Sequence, residues 1–141
     1  MKLIDTNIII YALGVQHPYK AACVVILNEV AQDMEEYAVD AEGLQEVMYV
    51  LTRRSRRQEA INRTRELMDA FKLIIPIGPA EIGAAIVFLE RYPSLSPRDA
   101  IHAAVAQLHG LEGIVSTDTA FDQVPGLRRY DPAEMVRGQS R

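Results

Sequence analysis

Apolar positions recur along this chain in two rhythms: short unbroken runs, and stripes spaced three and four residues apart. Lys2-Leu3-Ile4 reads as a strand that ends at Asp5-Thr6-Asn7, residue types that favour caps and turns. Ile8 to Leu13 continues as a short helix up to Gly14, and Pro18 opens a longer helix running to Ala31. Tyr37 to Val39 is a second strand, with Asp40 placed to cap the helix carrying Leu44, Val47, Met48 and Leu51. Beyond the basic stretch Arg53–Arg57 comes a helix with Ile61, Leu67, Met68 and Phe71. Leu73 to Ile77 then forms a continuous apolar run, the pattern of a strand buried on both faces. A helix follows with Ile82, Ala85, Ile86 and Leu89, and another runs from Ser96-Pro97 to Leu108. Gly113 to Val115 is a fourth strand ending at Ser116-Thr117-Asp118, and Leu127 to Tyr130 a fifth.

Strands alternating with helices predict an α/β fold with a mostly parallel central sheet flanked by helices. One domain spans residues 1–141, with 131–141 as a polar tail. The length suits a single core, and 49% hydrophobic with 24% charged residues excludes disordered and coiled-coil classes. The single cysteine, Cys23, rules out an intrachain disulfide and a cysteine-built zinc site, and reads as a small buried residue. Asp5 and Asn7 interrupt the apolar N-terminus, and no run approaches the roughly 20 residues of a membrane span. The expectation is a soluble cytoplasmic protein without membrane contact.

Acidic residues carry the candidate chemistry. In an open parallel sheet ligands bind outside the carboxyl ends of the strands, where Asp5 and Asp118 are expected. Asp99 stands in the first turn of a helix, and spacing alone does not bring it to that crevice. Each acid has a plainer reading beside the chemical one. Asp5 and Asp118 suit helix caps, Asp99 fits a capping box with Ser96, and Glu46 lies on the polar face of its helix beside Glu42 and Tyr49. Clustered carboxylates repel and raise one another's pKa unless a cation neutralises them. An all-oxygen set favours Mg²⁺ or Mn²⁺ over zinc, and such ions support phosphodiester hydrolysis.

Four stretches together resemble one family. Leu3-Ile4-Asp5-Thr6-Asn7 is similar to the opening of PIN-domain nucleases, especially VapC-type toxins. Leu44 to Arg53, containing Glu46, resembles the second motif; Pro97-Arg98-Asp99-Ala100-Ile101-His102-Ala103-Ala104 the third; Ile114 to Asp122 the fourth. They cover residues 3 to 122 in the family's order. The resemblance implies that Asp5, Glu46, Asp99 and Asp118 converge as metal ligands, with Asp5 and Asp99 foremost. It also implies that Asp122 lies close by, that Ser116 or Thr117 orients a carboxylate or water, and that Asn7 supports a ligand. Glu42 competes with Glu46 for its role. The implied activity is Mg²⁺- or Mn²⁺-dependent endoribonuclease action on single-stranded RNA by metal-activated water, as the toxin of a toxin–antitoxin pair. The implied partners are a cognate antitoxin and a second copy of the chain.

Alternatives are a catalytically silent PIN-like binding or scaffold module, and a solitary RNA-processing nuclease. An aspartyl-phosphate phosphatase needs an acid where Asn7 stands, and a receiver domain needs a lysine ending a late strand, whereas the lysines are Lys2, Lys20 and Lys72. The Arg53–Arg57 run reads equally as a phosphate contact or a solvated junction, and the resemblance implies an antitoxin contact as a further use. His102, on an alanine-rich helix, reads foremost as a core histidine and second, one turn after Asp99, as a donor supporting the site; Ile8, Tyr11 and Val24 also read as core. The net charge of −4 opposes nucleic-acid binding by a basic surface. Setting aside Asp5, Glu46, Asp99, Asp118 and Asp122 leaves 14 of 19 acids against 15 bases, so the surplus is local to the proposed site.

Overall fold

A computed structural model describes residues 1–32 and 35–139. Five strands form one sheet: β1 (Lys2–Ile4), β2 (Tyr37–Asp40), β3 (Leu73–Ile75), β4 (Gly113–Val115) and β5 (Arg129–Tyr130). Their order is β3-β2-β1-β4-β5, and every pairing is parallel. The chain builds outward from β1 to β3 and then returns to place β4 on the other side of β1. That reversal opens a crevice at the carboxyl ends of β1 and β4.

Successive strand residues point to opposite faces, so one face carries Ile4, Val39 and Val115 and the other Leu3, Ala38 and Ile114. The first face is covered by α1 (Thr6–Leu13), α2 (Lys20–Gln32), α3 (Ala41–Arg53), α4 (Arg57–Ala70) and α7 (Pro132–Gln139). The second is covered by α5 (Pro79–Arg91) and α6 (Pro97–Leu108). Local signals set several ends. Asp40 Oδ1 accepts from Gly43 N at 2.8 Å to start α3, and Ser96 Oγ accepts from Asp99 N at 3.1 Å to start α6. Cys23 is buried, and burial pushes its thiol up to about 12.

Several expectations are corrected. Leu73–Ile77 is not a strand buried on both faces: β3 stops at Ile75, lies at the sheet edge and leaves Leu73 exposed. Of the expected α5 stripe, Ala85 meets the core, joined there by Phe88, whereas Ile82, Ile86 and Leu89 face outward. Met48 and Val24 are also exposed, whereas Ile8 is buried. Residues 132–139 are not a polar tail but helix α7, whose Met135 and Val136 pack on the first core. The last two positions of that expected tail, Ser140 and Arg141, lie outside the described residues.

Pairing of β4 with β5 depends on a missing side chain. A Cβ on Gly113 would stand 2.1 Å from the Arg128 carbonyl oxygen and 3.0 Å from a Tyr130 ring carbon. Backbone cannot yield as a flexible side chain does. Gly113→Ala is therefore expected to cost about 3 kcal/mol by pushing β5 off the sheet, measured as a lower urea midpoint.

Candidate active site

Asp5 follows β1, and its backbone N–H donates to Val115 O at 3.0 Å, joining it to the end of β4. Although Asp5 occupies the N-cap of α1, its side chain makes no capping bond. It instead accepts from the Ser116 hydroxyl, Oγ to Oδ2, at 2.6 Å. That hydroxyl in turn accepts from Asp118 N at 2.9 Å and from Asn7 Nδ2 at 3.4 Å. Ser116 thus ties the first and fourth motifs together at the crevice. Asp118 also caps the following 3-10 turn (Thr119–Gln123), its Oδ1 accepting from Ala120 N at 2.9 Å.

Asp99 reaches the same place because two helices, not one, connect β3 to β4. They run antiparallel: Glu81 near the start of α5 meets His109 just past the end of α6 at 3.1 Å. The turn between them returns the chain to the carboxyl edge, so α6 starts at the crevice. Asp5, Glu46, Asp99 and Asp118 consequently line one cleft of about 530 Å³, together with Thr6, Asn7, Tyr11, Arg54 and Arg98.

The acids press on one another. Burial, then the charges of Asp5 and Asp118, push the Asp99 carboxyl up to about 6. Burial likewise raises Asp5, which is 5% exposed, against the opposing pull of His102 and Ser116. His102 is deeply buried between Asp40 and Asp5. Burial alone would lower its pKa, yet the Asp40 hydrogen bond and the charges of Asp40, Asp5 and Asp99 push it up to about 9.

Other candidates take different places. Glu46 is paired with Arg98, a cleft residue that stood unremarked inside the third motif. Asp122 does not line the cleft; Arg129 holds it by Nε to Oδ1 at 2.9 Å and Nη2 to Oδ2 at 3.2 Å. Arg129 Nη1 also donates to Ser116 O at 3.1 Å, so Asp122 braces the end of β4. Glu42 lies outside the cleft lining too, its carboxyl raised first by burial. Of the basic run only Arg54 lines the cleft, from a tight turn in which Ser55 has φ 58°. Arg53 donates to the Tyr49 hydroxyl at 3.0 Å, and Arg56 pairs with Glu59 at 2.5 Å.

Among the described residues no three His, Cys, Asp or Glu side chains form a ready-made metal cage. The donor set still suits a hard divalent cation: it is all oxygen, and its charges repel. Mg²⁺ keeps several waters and takes only one or two carboxylates directly, so a complete cage is not what it requires.

A parallel 3-2-1-4-5 sheet with four acids at its switch point defines a class. The PIN domain profile matches residues 2–127, and the chain belongs to the PIN-domain family, in its VapC branch. It is 35% identical over 136 residues to ribonuclease VapC13 of Mycobacterium tuberculosis, covering 92% of this chain and 98% of that protein. A toxin–antitoxin complex from Klebsiella pneumoniae contains a chain with TM-score 0.69 and 26% identity, covering 94% of this chain and 98% of that one. VapC20 of M. tuberculosis, a sarcin–ricin-loop-cleaving toxin, shares the fold: its TM-score is 0.72 at 15% identity, over 91% of this chain and 99% of its own. Among the described residues no helix is long and apolar enough to cross a membrane.

Proposed function

We propose that this protein is a Mg²⁺- or Mn²⁺-dependent endoribonuclease that cleaves single-stranded RNA and acts as the toxin of a toxin–antitoxin pair. The observation that carries this reading is the meeting of Asp5, Glu46, Asp99 and Asp118, from four distant stretches of chain, in one cleft. Asp5 and Asp99 are the foremost ligands, followed by Asp118 and Glu46. Bound there, the cation supplies activation of water and neutralises charge developing on the phosphate. The protein's own groups position the reaction. Ser116 fixes one oxygen of Asp5, and Arg98 offsets the charge of Glu46. Arg54 offers a cation to an RNA phosphate at the cleft.

The proposed partners are an antitoxin and a second copy of the chain, supported by the relatives and by the surface. Ribonuclease VapC13 is named for the activity, and the Klebsiella neighbour was solved as a toxin–antitoxin complex. Exposed Ile82, Ile86 and Leu89 on α5 support pairing with a second copy. The whole chain, 1–141, is read as one nuclease domain, in the cytoplasm.

The test is cleavage of a labelled single-stranded RNA by purified protein. Cleavage is expected with Mg²⁺ or Mn²⁺, loss of it with EDTA, recovery on adding excess Mn²⁺, and little action on the matching duplex. Cleavage unaffected by EDTA would remove the metal reading. No cleavage under any condition would favour the scaffold alternative.

A further inference from the structure

Two buried polar groups, Asp40 and His102, remain once the cleft acids have roles. Asp40 ends β2 at 0% exposure, and His102 lies in α6 at 1%, one helical turn beyond Asp99. The β1–β2 register pairs Leu3 with Ala38, which carries Asp5 to the level of Asp40. Two buried carboxylates on adjacent strands face an unfavourable situation unless something stands between them. The His102 ring stands there.

Capping accounts for only half of the Asp40 side chain. Its Oδ1 accepts from Gly43 N, and its Oδ2 accepts from His102 Nδ1 at 2.6 Å. That bond fixes the ring. The opposite edge, Nε2, has no hydrogen-bond partner and stands 3.6 Å from Oδ1 of Asp5, a charge contact beyond hydrogen-bond length. Ser116 already holds the other oxygen of Asp5. Both oxygens are therefore addressed from the interior, by groups on different elements. A carboxylate offers about four lone-pair positions, so these two contacts leave others for a ligand in the cleft. An apolar residue would fill the space of His102 without burying charge, so packing alone does not explain the pair.

We propose that Asp40 and His102 are positioning residues, a carboxylate–imidazole clamp that sets the orientation of the Asp5 carboxylate for a divalent cation. The assignment rests on Asp5 being a cation ligand. Groups that orient metal ligands in this way typically contribute about 10–100-fold to metal affinity.

Asp40→Ser separates the clamp from the fold. Serine caps a helix about as well as aspartate, so α3 keeps its start, but its short side chain does not reach His102. Asp40→Asn also caps through its one carbonyl oxygen, and its amide N–H donates to Nδ1, which holds the ring in its neutral form with Nε2–H toward Asp5. Mn²⁺ binding is measured by electron paramagnetic resonance on variants whose thermal melting shows them folded, alongside the Mn²⁺ dependence of RNA cleavage. Asp40→Ser and His102→Gln are expected to weaken Mn²⁺ binding about 10–100-fold, with cleavage largely recovered at saturating Mn²⁺. Asp40→Asn is expected to stay within a few-fold of wild type. Should His102→Gln not fold, the two Asp40 variants decide. Wild-type Mn²⁺ affinity in folded Asp40→Ser would overturn the proposal. Equal losses in the Ser and Asn variants would also overturn it, assigning the effect to charge alone. If the wild-type protein itself takes up no Mn²⁺, the reading of Asp5 as a ligand fails, and the clamp with it.

Discussion

Asp5→Asn is expected to lower kcat/KM for RNA cleavage at least about 100-fold, roughly 2.7 kcal/mol of transition-state stabilisation, while the protein stays folded. Asparagine matches the shape of aspartate and still accepts from the Ser116 hydroxyl that now holds Oδ2. What it loses is the negative charge at the junction of β1 and β4, where the carboxylate is 5% exposed. Burying that charge has no structural return in capping, since Asp5 makes no capping bond to α1. Its role is therefore sought in the cleft. A folded Asp5→Asn protein that cleaves RNA like the wild type would sink the assignment.

Asp99→Asn should separate activity from stability. Burial and the charges of Asp5 and Asp118 push Asp99 up to about 6 in the folded protein, against 3.8 as its ordinary value. Between those two values the folded state keeps a proton that the unfolded chain releases. Stability contributed by this group therefore falls as pH rises from about 4 to 6, and the deficit is complete above 6. A neutral asparagine has no such deficit. Metal-free Asp99→Asn is expected to be more stable than wild type at pH 7.5, by roughly 1–2 kcal/mol after allowing for solvent in the cleft. The difference should vanish near pH 4. Adding Mn²⁺ should stabilise the wild type and leave the variant nearly unchanged, with cleavage lost about 100-fold or more. Thermal melts at the two pH values, with and without Mn²⁺, check this. Equal melting of variant and wild type at pH 7.5 would show that the carboxylates are not in mutual conflict.

Both predictions concern a site half-legible in the chain. Asp5 and Asp118 were expected at a crevice because strands ending in acids can be read from a few neighbouring residues. Glu46 and Asp99 reached that crevice only through the family resemblance, since neither helical periodicity nor a capping box says where a helix begins in space. The structure supplies the reason: antiparallel α5 and α6 return the chain to the carboxyl edge before Asp99. His102 read as a core histidine, and it is buried. That it bridges Asp40 and Asp5 depends on residues 62 and 97 positions away.

The sequence by itself determined what short-range forces control. It specified the strand–helix alternation, the caps at Asp40 and Ser96, the buried cysteine and the acids that end β1 and follow β4. Those depend on contacts within a few residues, which residue type and spacing reveal. Only the tertiary structure decided that β3 is an edge, that α5 turns Ile82, Ile86 and Leu89 outward, and that residues 132–139 pack as a helix. It also decided which acids share the cleft and that Asp122 is tied to Arg129 instead. Each of these depends on which distant surface arrives alongside, and apolar burial and ion pairing carry no record of their partner in the local pattern.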